Sequence, residues 1–171
     1  MNYLIALLLI FAVNSLHAQS LTQEGIPLIT DASQLSSNAS DKTDGQHLEY
    51  LIDGDAYTFW HSDWRGQIPD LYHYIQVDLQ EEFSGVAAVW VIRRDTPQDH
   101  VDEFLVQGSV DGVTYTDIAQ VAIPSNGACT SAKSEFFTVT TPVKYLRFTC
   151  THKTPSQGKN WWHRLCEQWK N

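Results

Sequence analysis

Positive charge is scarce in this chain of 171 residues: 11 Lys and Arg stand against 20 Asp and Glu, a formal net charge of −9. A phosphate-backbone partner is held mainly by Lys and Arg, so nucleic acid is excluded as the main ligand. The same imbalance opposes binding to an anionic membrane surface, which attracts polybasic segments. Long apolar runs are also missing. The run Tyr3 to Val13 has eleven residues, short of the about 20 that span a bilayer, so membrane insertion is not expected. Cysteine is limited to Cys129, Cys150 and Cys166, an odd set in which at most one pair can bridge. No CxxC occurs and no Cys–His spacing resembles a zinc site. All three read as packing residues, with Cys150 in an apolar alternation.

Catalytic patterns are missing as well. His47, His61, His73, His100, His152 and His163 include no pair at i, i+2 or i, i+4, the spacings that metal hydrolases use. There is no G-x-S-x-G and no Gly-rich phosphate loop. Two carboxylates at a glycosidase separation are set by the fold and not by sequence spacing. With 20 acidic residues present, chance pairs are expected, and the chain is read as non-catalytic.

What is present is apolar and aromatic: 43% hydrophobic residues, 12% aromatic, with six tryptophans. That content can bury a core and argues against disorder. Length fits one domain, or one domain with a tail. Behind the apolar run, Asn14-Ser15-Leu16-His17-Ala18 forms a small-residue exit resembling a signal-peptidase site after Ala18. No Lys or Arg precedes the run. Residues 1–18 therefore read as an export signal, 19–25 as a linker and 26–171 as the domain. The alternative for the first segment is a buried N-terminal helix or strand. Export implies a secreted, periplasmic or cell-surface protein.

Residues 19–45 are poor in aromatics and rich in small polar side chains. Within them Ile26-Pro27-Leu28-Ile29 is expected as a first strand and the rest as loop. Asn38-Ala39-Ser40 matches a glycosylation sequon, a triplet common by chance. Further on, Ile75, Val77 and Leu79 alternate with Gln76 and Asp78, the period of a strand with one buried face. Val86 to Ile92 is apolar throughout and suits burial on both faces. Phe104-Leu105-Val106, Phe136 to Val139 and Lys144 to Cys150 continue the series. Asp53-Gly54 and Asp111-Gly112 are turn dipeptides. Many short strands without intervening helices mean an all-β sandwich or barrel.

The densest cluster is Leu51 to Trp64. Asp53, Asp55 and Thr58 surround Gly54, which permits a sharp turn. Hard oxygens on a tight loop suit Ca²⁺; the EF-hand spacing is absent. A plain β-turn, with Asp53 capping its own backbone, accounts equally well for the spacing.

Asp53-Gly54-Asp55-x-x-Thr58-x-Trp60-His61-Ser62 resembles the signature of the coagulation factor V/VIII type C, or discoidin, domains, and most closely the family 32 carbohydrate-binding modules. His73 to Leu79, Ile92-Arg93-Arg94, Gly108 to Gly112 and Tyr145-Leu146-Arg147-Phe148 agree in order and spacing. The resemblance runs from about Ile26 to the C-terminus. It implies a discoidin-like jelly-roll β-sandwich of about eight antiparallel strands, in a family whose members are mostly non-catalytic. It also implies a structural calcium held by the Tyr50 carbonyl, the Asp53 side chain, the Asp55 carbonyl and both Thr58 oxygens. Glu167 would close that site, although Gln168 and Lys170 interrupt the alternation expected around it.

Sugar binding in such modules uses loops at one end of the sandwich. There an aromatic ring stacks on a pyranose, and polar side chains bond its hydroxyls. The resemblance assigns this role to His61, Trp64, Arg94, Asp99, His100 and Trp161, with Gln98 beside them. Trp60 and Trp90 are expected in the core, and Trp162 and Trp169 over the open end. The expected partner is a glycan, with a glycoside hydrolase or cell-surface protein as a further association. The module is expected to be a monomer. A protein-adhesive discoidin domain, or the ancillary module of a larger glycoside hydrolase, is the alternative reading.

Overall fold

The structure is a computed structural model that describes residues 9–13, 26–40, 47–53, 60, 62–63, 72–92, 101–124 and 131–153. Its strands are β1 (Leu9–Val13), β2 (Ile26–Pro27), β3 (Leu35–Ser37), β4 (Tyr74–Ile92), β5 (Val101–Ser109), β6 (Thr116–Ala122), β7 (Ser131–Lys133) and β8 (Phe137–Lys153). All pairings are antiparallel. Two short 3-10 turns, Ala32–Gln34 and Leu48–Leu51, are the helical elements among the described residues. The expected all-β jelly-roll sandwich is observed.

The runs Tyr74–Leu79 and Val86–Ile92, which the sequence suggests are separate strands, are halves of one bent strand. The runs beginning at Phe137 and Lys144 are likewise joined in β8. β4 pairs with β8 from Tyr74↔Thr149 to Ala87↔Phe137, with register shifts on either side of Phe83. Two residues of left-handed backbone, Gln80 at φ 66° and Gly85 at φ 148°, turn the strand there. The Gln80 amide donates to Asp78 Oδ1 at 2.7 Å, which holds the local turn. Opposite, the bend of β8 carries the exposed Pro142, which can give no ladder bond and suits an irregular position. Both strands thus cross from one layer of the sandwich to the other.

One layer follows the order β3-β4-β8-β5-β6 through Tyr74–Leu79 and the second half of β8. The other contains β2, β1, the Val86–Ile92 half of β4, β7 and the start of β8. Alternation puts Ile75, Val77, Phe104, Val106, Leu146, Phe148 and Cys150 inward from the first layer. Ala87, Val89, Phe137 and Val139 meet them from the second. Phe104 and Phe148 contact edge-to-face at 6.4 Å, a favoured aromatic geometry. Ala87, Ala88 and Val89 are all fully buried, as their unbroken apolar run requires. Trp60 joins the core at 2% exposure; the Trp90 side chain lies outside the described residues.

At the N-terminal side the structure departs from expectation in two places. The expected strand over Ile26–Ile29 is reduced to Ile26–Pro27, and β3 forms where loop is expected. β3 has one buried apolar residue, Leu35, too little for a visible period. It is fixed instead by Gln34, whose buried amide accepts from the Thr30 and Asp31 amides and donates to the Leu28 and Asp78 carbonyls. In addition, Leu9–Val13, inside the segment that reads as an export signal, pairs with Val86–Trp90 and with Ile26–Pro27. An uncharged apolar run is as suited to a sheet slot as to membrane translocation.

Gly108 shows how tightly β5 packs between β6 and the bend of β8. A Cβ there would lie 2.6 Å from Ile118 Cδ1 and 2.7 Å from Val143 Cγ1. Gly108→Ala should overpack the core and cost about 1–3 kcal/mol, measured as a lower denaturant midpoint at unchanged slope.

Candidate functional site

β4 and β8 give the sandwich two distinct ends. Register places Tyr74 beside Thr149, Thr149 beside Leu105, and Val101 beside Lys153. Ile92, the last residue of β4, pairs with Ser131. The described strands thus end or begin at Ile92, Val101 and Lys153, and the last two share the end marked by Tyr74. Arg94, Asp99 and His100 lie between the first two points, and Trp161 follows the third. All four lie outside the described residues; their anchors Val101 and Lys153 pair with each other at one end.

The stretch containing His61 and Trp64 is tied to the same place from another direction. Asn38 donates from Nδ2 to the Tyr72 carbonyl at 3.0 Å and accepts the Tyr74 amide at 2.9 Å. It thereby grips the entry to β4 with both ends of its amide. The next residues hold the preceding segment. The Asp63 amide donates to the Ala39 carbonyl, Ser40 and Ser62 form an isolated bridge, and Trp60 Nε1 donates to Ser40 Oγ at 3.2 Å. His61 and Trp64 themselves are outside the described residues; their neighbours Trp60, Ser62 and Asp63 are fixed at this end. In the sequence Asn38 stands out only as a sequon, a pattern that gives no hint of a backbone clamp.

The calcium reading touches two described residues. Tyr50 belongs to the 3-10 turn Leu48–Leu51, where its amide donates to the His47 carbonyl and its ring meets His47 edge-on at 5.4 Å. Leu48, Leu51 and Ile52 pack against the core, so the turn is seated firmly. Asp53 follows at the surface. A main-chain carbonyl and an accessible carboxylate three residues apart are hard donors of the type Ca²⁺ uses. Asp55, Thr58 and Glu167 lie outside the described residues. Among the described residues, no group of three or more His, Cys, Asp or Glu side chains forms a metal cluster.

Two further features lie away from these loops. On the outer face of the first layer, Arg147 is stacked between Tyr74, 4.2 Å from the ring centre, and Tyr115, at 3.6 Å. Its Nη2 donates to Gln76 Oε1 at 3.2 Å. Burial raises the Tyr115 pKa, and the positive charge of Arg147 opposes that rise. This cation–π stack braces β4, β8 and the β5–β6 connection.

At the opposite end, a groove of about 620 Å³ is lined by Ser109, Asp111, Thr116, Asp117, Thr140 and Val143, among others. Asp111 closes the β5–β6 turn. The Thr114 and Val113 amides and the Ser109 hydroxyl donate to its Oδ1, lowering its pKa to about 2. Turn chemistry accounts for this carboxylate.

If the Asn38 clamp organises the loop end, Asn38→Ala should cost about 1–3 kcal/mol, because two backbone groups lose their partner. Asn38→Asp keeps the acceptor for Tyr74 and loses the donor to Tyr72. Amide exchange should therefore accelerate at Tyr74 in the alanine variant and much less in the aspartate variant.

Comparison with solved structures gives the same architecture. The third family 32 module from a family 31 glycoside hydrolase of Clostridium perfringens aligns at 23% identity and TM-score 0.54, covering 71% of this chain and 80% of that one. The C-terminal domain of a chitobiase from Bacteroides fragilis aligns at 19% identity and TM-score 0.56, covering 78% and 91%. The module CpGH89CBM32-5 of Clostridium perfringens, solved in complex with GalNAc-β-1,3-galactose, aligns at 14% identity and TM-score 0.54, covering 70% and 84%. At these identities the likeness concerns the fold. The sequence itself matches the F5/8 type C domain over residues 32–167, a span that includes the Asn38 clamp, the Tyr50–Asp53 turn and the whole β4–β8 ladder. The chain belongs to the F5/8 type C domain family.

Proposed function

We propose that this protein is an exported, non-catalytic carbohydrate-binding module whose loop end takes a glycan and whose Asp53 loop holds a structural Ca²⁺. The observation that carries the reading is the convergence of anchors. Val101, Lys153 and the Asn38-held segment at Tyr72–Tyr74 bring a flank of each of three separate candidate segments to one end. Trp64 supplies a ring for the apolar face of a pyranose, and Arg94 supplies a forked donor for vicinal hydroxyls. His61, Asp99, His100 and Trp161 complete the set. A net charge of −9 favours a neutral polyhydroxyl ligand over a polyanion. Likeness to CpGH89CBM32-5, solved with GalNAc-β-1,3-galactose, supports a sugar as ligand. Likeness to a module from a family 31 glycoside hydrolase supports an ancillary role beside such an enzyme.

Calcium has a mechanical task in this reading. Tyr50 and Asp53, with Asp55, Thr58 and Glu167, would pin the loop that precedes Trp60 to the body of the sandwich. Bound there, the ion supplies charge neutralisation and loop rigidity and no chemistry on the sugar. Loop rigidity matters because ordering side chains at binding consumes affinity.

Glycan binding by a single module is expected at a millimolar to high-micromolar Kd, about −4 to −6 kcal/mol. Trp64→Ala and Arg94→Ala should each lose about 1–3 kcal/mol, enough to erase detectable binding in a glycan titration, while melting as the parent does. If a bound glycan is found and both variants hold it as tightly as the parent, the site is elsewhere.

The calcium arm is separate. At a hundredfold excess over Kd, Ca²⁺ should stabilise the fold by about 2.7 kcal/mol, and Asp53→Ala should remove that response. An identical melting curve with and without chelator contradicts the calcium reading and leaves a simple turn.

A further inference from the structure

The groove at the far end lies where both layers of the sandwich are open. In the first layer β6 pairs with β5 alone, and in the second the Phe137–Thr141 part of β8 pairs with β4 alone. Among the described residues, each therefore has one side without a strand. β5 and β6 continue the first layer beyond β8, and the groove of about 620 Å³ is the space between the two open edges. Thr116 and Ile118 line it from β6, and Thr138 and Thr140 line it from β8. Backbone groups point alternately to the two sides of a strand. The Val89 amide donates to Ser134 Oγ and the Val89 carbonyl accepts the Ser134 amide, both at 2.9 Å. Val89, Ala87 and Gly85 thus present their backbone groups on the β8 side. Phe137 and Val139, the register partners of Ala87 and Gly85, point back at them. Thr138 and Thr140 therefore turn N–H and C=O away from β4, on the side where the groove lies.

The two edges are not alike. Sheet edges are ordinarily guarded by charge, proline or a bulge. β6 has Asp117 and a register shift against β5 at Val106–Gln107. The other edge has no such guard: Phe136 to Thr141 carries no charge, and its first proline is Pro142. Thr138, Thr140 and Thr141 are exposed and β-branched, a type suited to strands. Exposed apolar side chains flank this edge. Phe136, at its start, is 40% exposed; Val110, which lines the groove, and Val113 on the same turn are 58% and 82% exposed. The charge around the groove has one sign. Asp111 and Asp117 line it, and no Lys or Arg is among the described residues that do.

We propose that this edge docks an extended basic segment of a partner protein, which adds as a strand along Phe137–Thr141. Its apolar side chains enter the groove, against the half-buried Ile118 and the buried Val143, and its Lys or Arg side chains lie toward Asp111 and Asp117. In strand addition the main-chain bonds, here to Thr138 and Thr140, give affinity, and the pockets for alternate side chains give specificity. Charge selects the partner. A second copy of this chain would bring a net charge of −9 against −9 and set carboxylates beside carboxylates, which like-charge repulsion opposes; a basic strand meets the same groove favourably. The edge lies at the end of the sandwich opposite the candidate glycan loops, so one module can hold a sugar and a protein at once. The docking proposal does not depend on the glycan.

The test is backbone amide mapping by NMR on the full chain, titrated with an octapeptide of alternating Val and Lys and, separately, with one of alternating Val and Glu. The Val-Lys peptide should shift Thr138–Thr141 and the Ser109–Thr116 turn saturably. It should also slow exchange of the Thr138 amide by about tenfold or more, as for a newly paired edge. The Val-Glu peptide should leave these amides unmoved. Thr138→Pro removes an edge donor without removing a bond to β4 and should abolish binding, with protected Phe137 and Val139 amides reporting an intact fold. Asp117→Lys changes an exposed side chain and should weaken the Val-Lys peptide about threefold or more; it decides the outcome if Thr138→Pro unfolds. Four results overturn the proposal: no shifts at millimolar Val-Lys peptide, equal binding of the Val-Glu peptide, undiminished binding to folded Thr138→Pro, or undiminished binding to Asp117→Lys. Shifts at Thr138–Thr141 that grow with protein concentration and need no peptide overturn it as well, in favour of a second copy. No arm contains a sugar, so failure of the glycan reading would be seen separately, in the glycan titration.

Discussion

The antiparallel ladder between β4 and β8 is the constraint from which the rest of the molecule follows. Its register runs through two shifts near Phe83 without losing the pairing, so two long strands serve both layers. That continuity makes the core, because each strand contributes inward residues to opposite faces: Ile75 and Val77 with Ala87 and Val89, and Leu146 and Phe148 with Val139. It also sorts the connections. Bends fall at Gln80–Gly85 and around Pro142, at one end, while Tyr74, Val101 and Lys153 lie at the other. The proposed glycan site, anchored on those residues, would inherit a rigid base, which a preorganised site requires.

Around this ladder, a few polar side chains do what hydrophobic burial cannot. Gln34 satisfies four backbone groups at the start of β3. Asn38 grips Tyr72 and Tyr74, and Arg147 fills the space between Tyr74 and Tyr115. Apolar packing is non-directional; these groups set where a segment sits and which way it leaves. Asn38 is the most consequential, since it joins the entry of β4 to the segment carrying Trp60, Ser62 and Asp63.

The parts of the fold legible in the sequence are those with a period. Alternation at Tyr74–Leu79 and Lys144–Cys150, and the unbroken run at Val86–Ile92, lead directly to buried strands and to the sandwich. Cys150 and Trp60 sit in the core as expected, both at 2% exposure or less. Features without a period stay hidden. The bends that join pairs of strands depend on left-handed backbone at Gln80, a residue with no preference for it. β3 depends on the hydrogen bonds of Gln34, and the loop end depends on Asn38, whose triplet suggests only a sequon. Of the assigned site residues, Tyr50 and Asp53 fall in the described structure; for Trp64, Arg94 and the others the fold supplies the anchors and the family resemblance supplies the role.

Entry of the ligand at the end where those anchors meet is tested most directly by backbone amide shift mapping of residues 19–171 during titration with a galactose-containing disaccharide. Shifts should concentrate at Tyr72–Tyr74, Val101 and Lys153, with the Ser109–Thr116 turn and the groove beside it unmoved. Shifts confined to that far groove, or spread over the outer face around Arg147 with the loop anchors silent, would contradict it.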